Sequence, residues 1–274
     1  MSDLHGAELL GRLLDDLRAE GDQLAATVDE LGPAGWTLPT PAPGWTVATQ
    51  VVHLMWTDEV AVLAAHSHES PDAKQAWDDV VLAAIEDPMG YVDRAAYELA
   101  ELPRDEMLAR WADSRSALRT ALAGLPPGHK MPWFGPPMSA ASMATARFME
   151  TWAHALDVYD AAGDRPAPTD RIKHVAHLGV RTRNYAYSVH QEEPPAEEFR
   201  VELTAPTGDT WTWGPEDAAQ RVTGSAYDFC LLVTQRVNRA DTDLVAVGDD
   251  AEHWLGIAQA FAGPPGPGRE GSDG

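Results

Sequence analysis

Apolar residues recur every three or four positions over most of the first 190 residues. The first such stripe is typical of an amphipathic helix and consists of Leu10, Leu14, Leu17, Leu24, Val28 and Leu31. Gly32-Pro33 ends that helix. The same periodicity predicts helices at about 46–65, 70–87, 91–123 with a break at Pro103, 139–162 and 170–190. Helices of this length with short connections predict a helical bundle.

The period changes after residues 192–198, which are acidic and contain proline. Residues 199–204 and 210–213 alternate between apolar and polar side chains, and a turn at Thr207-Gly208-Asp209 makes them a β-hairpin. Further elements are predicted as a strand at 221–224, a helix at 225–236, a strand at 244–247 and a helix at 250–261. We therefore predict a mainly α fold with an α+β C-terminal part. It comprises a helical bundle at 1–192, a small α+β domain at 193–262 and a disordered Gly/Pro-rich tail at 263–274.

The charge of the chain limits its partners. The 20 basic residues are outnumbered by 43 acidic ones, for a net charge of −23, whereas a nucleic-acid backbone is bound by clustered Lys and Arg. No apolar run approaches the ~20 residues of a membrane span, and no basic region precedes an apolar core near Met1. We expect a cytoplasmic monomer or homodimer that acts on a small molecule, with no nucleic-acid or membrane partner.

The single cysteine, Cys230, excludes an intramolecular disulfide and a cysteine-based zinc cage. It lies in the apolar run Phe229–Val233. That context favours a small buried hydrophobic side chain over a catalytic thiol.

Candidate chemistry centres on the helix that follows the Pro/Gly-rich turn 41–44, where Thr46 is a candidate cap and His53 interrupts an apolar run. Glu150 and His154 are spaced i and i+4 on another helix, so their side chains lie one above the other. Bundle-core metal sites take ligands from facing helices. Two imidazole nitrogens and one carboxylate suit Zn²⁺ and leave a coordination position open, and Fe²⁺ and Ni²⁺ fit the same donors.

The same residues have simpler interpretations. A polar stripe on a helix is commonly its solvent face, and this one consists of Arg147, Glu150, His154 and Asp157. The Glu150–His154 pair would then be an exposed contact worth ~0.3–0.5 kcal/mol. His53 would be a core histidine bonded to a backbone carbonyl group. Asp157 or Asp160 would either orient an imidazole or face solvent. Spacing alone leaves these alternatives open.

A family resemblance favours the metal site. The segment Pro43-Gly44-Trp45-Thr46-Val47, followed by Val52-His53-Leu54 and by Glu150-xxx-His154, resembles metal-dependent four-helix-bundle enzymes of the DinB type. It is more closely similar to the mycothiol-dependent maleylpyruvate isomerase branch. The resemblance implies a bundle followed by an α+β domain, with His53, Glu150 and His154 as the metal ligands. It also implies an active-site arginine from the C-terminal domain, for which Arg236 is the first candidate and Arg221 the second.

The chemistry implied by this resemblance is metal-assisted activation of a low-molecular-weight thiol, which in the family is mycothiol. The activated thiol would support isomerisation or transfer to a small electrophile. Two other functions fit the sequence. One is a metal-dependent hydrolase, lyase or tailoring enzyme that uses no thiol. The other is a non-catalytic protein that binds a small molecule.

Overall fold

The computed structural model describes residues 2–87, 90–266 and 268–271, without the side chains of residues 2–5. The described residues divide into two compact units between Arg165 and Pro166. The predicted disordered tail falls partly outside this range, because Pro267 and residues 272–274 are not described. Its disorder stays a prediction.

The first unit is a helical bundle with one short hairpin. Its elements are α1 (Ser2–Gly35), α2 (Val47–His66), α3 (Pro71–Glu86), α4 (Tyr91–Ala100), α5 (Arg104–Gly124), β1 (Lys130–Met131), β2 (Met138–Ser139) and α6 (Ala140–Ala162). Helix α1 packs against α6 and α5, and α2 packs against α5 and α6. Helices α3 and α4 lie against α2. The β1–β2 pair lies between α5 and α6.

Helix α1 follows its predicted apolar stripe, since Leu14, Leu24 and Val28 are all buried. Its regular part ends at Gly32, where the backbone has φ 61° and ψ −168°. Glycine adopts this conformation at little cost, and Pro33 follows it in the sequence. The predicted end of the helix thus has a local physical cause.

Helix α2 lies at the centre of the bundle. A reciprocal capping box starts it: Thr46 accepts a hydrogen bond from the Thr49 amide, and the Thr49 hydroxyl oxygen accepts one from the Thr46 amide at 2.7 Å. Every residue from Val47 to Met55 is buried, including polar Thr49, Gln50 and His53. Because α3, α4, α5 and α6 all contact this helix, its polar side chains must find partners within the protein.

A buried ion pair fixes the register of α2 against α6. Arg147 Nε lies 2.8 Å from Asp58 Oδ1, and Arg147 Nη2 donates to the Leu54 carbonyl oxygen at 3.2 Å. Burial raises the pKa of the Asp58 carboxyl, and the charge and hydrogen bond of Arg147 oppose that shift. Removing one partner of such a pair typically costs about 3–5 kcal/mol. The pair therefore favours one relative position of the two helices.

The second unit combines short helices with a mixed sheet. Its elements are α7 (Lys173–Arg181), α8 (Arg183–Val189), β3 (Arg200–Thr204), β4 (Thr210–Trp213), β5 (Arg221–Ser225), α9 (Ala226–Val233), β6 (Val245–Val247) and α10 (Asp249–Ile257). The strand order among the described residues is β4-β3-β5-β6. Strands β3 and β4 form the predicted hairpin, with Leu203 opposite Trp211. Strand β5 runs parallel to β3.

The division between the units differs from the boundary expected at residue 192. Helix α7 packs against α9, and α8 packs against α10. The single helix predicted at 170–190 is interrupted at Thr182, which has φ −90° and ψ 7°. Because these helices bury their apolar faces against C-terminal elements, they belong to the second unit.

The predicted fold class, mainly α with an α+β C-terminal part, is confirmed. No helix within residues 2–87, 90–266 and 268–271 is both long and apolar enough to cross a membrane.

Candidate metal centre

Helices α2 and α6 bring His53, Glu150 and His154 together. Glu150 Oε2 lies 3.7 Å from His53 Nε2 and 3.2 Å from His154 Nε2. One ligand atom from each residue lies within 4.8 Å of the other two. The i, i+4 spacing aligns Glu150 with His154 on α6, and the packing of α2 against α6 supplies His53.

The polar stripe of α6 faces the protein interior, so its interpretation as a solvent face is wrong. Arg147 and Asp157 are only 3% and 1% exposed. The His53, His154 and Glu150 side chains are 10%, 14% and 25% exposed. The Glu150–His154 contact is therefore a largely enclosed pair that keeps limited access to solvent.

His53 does not behave as a core histidine satisfied by a backbone carbonyl group. Its Nδ1 atom is buried and has no hydrogen-bond partner in the described part of the chain. Its Nε2 atom points toward Glu150. Among the interpretations drawn from the sequence, this geometry favours a ligand.

The Glu150 carboxyl has a pKa well below its usual range. Burial acts to raise this pKa, but the hydrogen bonds and charges of His154 and His53 lower it by more. Glu150 is therefore an ionised oxygen donor beside two imidazoles. A metal site requires this state of its carboxylate ligand.

The spacing of the three donors fits a small divalent metal ion. Bonds of about 2.1 Å to nitrogen and oxygen in tetrahedral geometry place two ligand atoms about 3.4 Å apart. The two distances from Glu150 Oε2, 3.2 and 3.7 Å, lie on either side of this value. The ligand atoms of the three residues all lie within 4.8 Å of one another, so side-chain adjustment would have to bring them onto one ion.

Aromatic rings enclose the cluster. The Trp45 ring stacks on His154 with 5.8 Å between ring centroids and meets His53 edge-on at 5.4 Å. Trp56 lies 6.4 Å from His53. Trp45 Nε1 also donates to Asp93 Oδ1 at 3.2 Å, which connects the loop before α2 to α4. An apolar shell of this kind restricts water around a metal site.

Sequence reasoning missed Gln50, whose side chain lies beside His154. Gln50 Oε1 is 2.5 Å from His154 Nδ1, and Gln50 Nε2 is 3.4 Å from Asp157 Oδ2. Asp157 is thus buried and reaches the imidazole through Gln50, whereas Asp160 pairs with Arg165. One sequence feature could have identified Gln50: it is a polar residue inside the apolar run of α2, three residues before His53.

The arginines proposed from the family resemblance lie in the second unit. Arg236 follows α9, and its Nη1 donates to the Thr234 carbonyl oxygen at 2.7 Å. Arg221 is on β5, where its Nη2 donates to Glu202 Oε1 at 3.1 Å. A catalytic role for Arg236 stays a prediction.

Cys230 is buried, as expected. It is fully enclosed, and its Sγ donates to the Ile172 carbonyl oxygen at 3.4 Å. Burial raises the pKa of its thiol well above the usual value. A thiol in this environment is a poor nucleophile.

A separate cavity of about 210 Å³ lies in the first unit. Its lining includes Leu14, Leu17, Asp58, Arg115, Leu118 and Thr151. His53, Glu150 and His154 are not part of that lining. The chemistry of the candidate centre therefore does not depend on this cavity.

Family models match both halves of the sequence. The model described as "Mycothiol maleylpyruvate isomerase N-terminal domain" matches residues 17–159, which contain all three candidate ligands. The model described as "Wyosine base formation" matches residues 195–247. That segment lies within the second unit.

Curated proteins and solved structures are also similar to most of this chain. The uncharacterized proteins MT0041 and Rv0036c, from two strains of Mycobacterium tuberculosis, are each 56% identical over 94% of this chain and 98% of their own length. A crystal structure of a mycothiol-dependent maleylpyruvate isomerase has a TM-score of 0.57 at 15% identity, and that of a histidine-to-alanine mutant has 0.56 at 16%. Both comparisons cover 86% of this chain and 92% of the other chain. At this identity, the likeness shows the fold.

The lowered pKa of Glu150 predicts a pH-dependent contribution to stability. In chelator-treated protein, Glu150→Gln should reduce the free energy of unfolding above pH 4.5, the ordinary pKa of the group. Because the folded-state pKa is depressed, the stabilisation by Glu150 is lost as the pH falls from 4.5 through that lower value. Denaturant unfolding of both proteins across this range measures the difference.

The matched control for this prediction is Glu98→Gln, whose side chain is exposed on α4. We expect this change to leave stability nearly unaltered. A Glu150→Gln effect that stays constant or grows as the solution is acidified would contradict the proposed pairing with the two histidines.

Proposed function

This chain belongs to the mycothiol maleylpyruvate isomerase N-terminal domain family, and from that premise we propose that it is a metal-dependent enzyme acting on a small molecule. It would activate a low-molecular-weight thiol, mycothiol or a similar one, for isomerisation of a small electrophile or S-transfer to it. The observation that carries the proposal is the enclosed His53–Glu150–His154 cluster within the matched segment.

The protein's own residues have distinct parts in this proposal. His53 and His154 would bind the metal through Nε2, and Glu150 would bind it through an oxygen that is already ionised. A divalent metal held there would supply the positive charge that makes a coordinated thiol ionise at neutral pH. Trp45 and Trp56 would exclude water beside the histidines.

Zinc is the metal we propose, because three nitrogen and oxygen donors with one open position are typical of catalytic zinc sites. Iron and nickel are the alternatives, since imidazole binds all three. The nucleophile would be an external thiol. The state of Cys230 supports this choice, because its sulfur is buried and held protonated.

Arg236 is proposed to bind a substrate carboxylate through two parallel hydrogen bonds. Arg236→Lys should raise the KM for maleylpyruvate, the substrate in the relatives' name, by about tenfold or more, because lysine cannot reproduce the bidentate contact. The matched control is Arg221→Lys, whose guanidinium is already bonded to Glu202. An unchanged KM in Arg236→Lys, or an equal rise in both variants, would contradict this role.

Thiol dependence tests the proposed function directly. The zinc-loaded protein should convert maleylpyruvate, or conjugate a small electrophile, only when mycothiol is present. His53→Ala should abolish this activity because it removes a ligand. Cys230→Ala should retain it, because the protein's own thiol takes no part.

The measurement is product formation with and without the thiol, at equal protein and zinc concentrations. Activity without any thiol would replace the proposal with a metal-dependent hydrolase or lyase. A metal-free protein that binds the small molecule without converting it would instead indicate a binding protein.

A further inference from the structure

Gln50 is a fully buried polar residue with a partner at each end of its amide group. It lies on α2, one turn before His53. Its side chain reaches Thr40 in the preceding loop, and Asp157 and His154 on α6. Which end of the amide faces each partner follows from the hydrogen-bonding capacity of these groups.

The starting point is the Trp45 carbonyl oxygen, which can only accept hydrogen bonds. It accepts one from the Thr40 amide at 2.8 Å and one from the Thr40 hydroxyl at 3.0 Å. The single hydroxyl hydrogen of Thr40 is thereby used. Toward Gln50, at 2.9 Å, the Thr40 oxygen must act as an acceptor.

This fixes the orientation of the Gln50 amide. Its NH₂ group must face Thr40, and the same nitrogen lies 3.4 Å from the carboxylate oxygen Asp157 Oδ2, a second acceptor. Two independent contacts thus agree on an orientation that bond lengths alone do not define. The carbonyl oxygen of Gln50 then faces His154 Nδ1, 2.5 Å away.

A carbonyl oxygen can only accept, so His154 Nδ1 must carry a hydrogen. With the Nδ1 hydrogen committed to Gln50, Nε2 is the nitrogen left to donate to Glu150 in the metal-free protein or, once it gives up that hydrogen, to bind a metal. His154 Nε2 is the atom that faces Glu150, at 3.2 Å. We infer that Gln50 is a positioning residue that holds His154 in the Nδ1–H form and presents Nε2 as the metal ligand.

The inference rests on the proposed function in one respect, namely that the group bound by His154 Nε2 is a metal. The hydrogen-bond chain itself, from the Trp45 carbonyl group to Thr40, Gln50 and His154, exists in the protein without one. It also explains why the loop before α2 matters for the site. That loop supplies both the Trp45 ring against His154 and the acceptor that sets the direction of the chain.

Gln50→Leu tests the inference by removing the acceptor while keeping a similar volume. We expect the Zn²⁺ affinity, measured by competition with a chelator, to fall about 10–100-fold, as is typical when a group that orients a ligand is lost. Ser114→Ala is the matched control, because Ser114 is also buried but bonds only within α5.

Nitrogen-15 NMR of the histidines gives a second readout that a merely structural role would not change. The wild type should show a His154 Nδ1–H proton in slow exchange with water, and Gln50→Leu should lose that protection. Thermal unfolding checks that each variant is folded. Gln50→Met replaces Gln50→Leu if the latter does not fold.

Unchanged zinc affinity in a folded Gln50→Leu or Gln50→Met variant would overturn the inference, and so would zinc bound through Nδ1 of His154. If the wild type binds no zinc, the proposed metal centre fails, and NMR of the metal-free protein decides the inference separately. A protected Nδ1–H that depends on Gln50 would then support it. A His154 with hydrogen only on Nε2 would overturn it.

Discussion

Buried polar side chains on α2 and α6 must be partnered across the interface between these helices, and the candidate site depends on this constraint. Asp58 pairs with Arg147, Gln50 bonds to Asp157 and His154, and His53 faces Glu150. A buried donor or acceptor left without a partner costs about 1–3 kcal/mol, and a buried unpaired charge costs more. A shift of α2 by one turn would break all of these contacts, so the same interactions that set the helix register also assemble the three candidate ligands.

This arrangement places the candidate metal ligands on rigid helices. The ligand-bearing turns belong to two long helices at the centre of the bundle, and a capping box and a hydrogen-bonded loop fix the start of one of them. Side chains held in this way lose little freedom when they bind a ligand. The proposed function needs such preorganisation, because a metal that is to bind a thiol must keep one position open while three protein donors hold it.

Much of the fold was accessible from the sequence because apolar periodicity and helix-end signals are local. The start of α2 at Thr46, the interruption of α1 at Gly32 and the Leu203–Trp211 hairpin all follow from neighbouring residues. The division between units was not accessible, because the apolar residues of α7 and α8 do not by themselves show which elements they pack against. Only tertiary packing shows that they lie against α9 and α10.

The three candidate ligands were predicted from the sequence, but Gln50 was missed. Glu150 and His154 are recognisable by spacing, and His53 by its place in an apolar run. Gln50 has no such pattern, and its role appears only when Thr40, Asp157 and His154 converge on it from a loop and a second helix. The sequence likewise did not determine whether the polar stripe of α6 faces solvent or the interior. Arg147 is buried because it pairs with Asp58, which lies on another helix.

The central claim is that His53, Glu150 and His154 bind a metal, and the most direct test is the metal content of protein purified without a histidine tag. We predict about one equivalent of zinc, iron or nickel per chain, lost in His154→Ala and kept in His129→Ala. The His129 ring lies 4.3 Å from that of His68 and is not one of the three ligands. Wild-type protein that stays metal-free after all three metals are offered, or His154→Ala that retains a full equivalent, would contradict it.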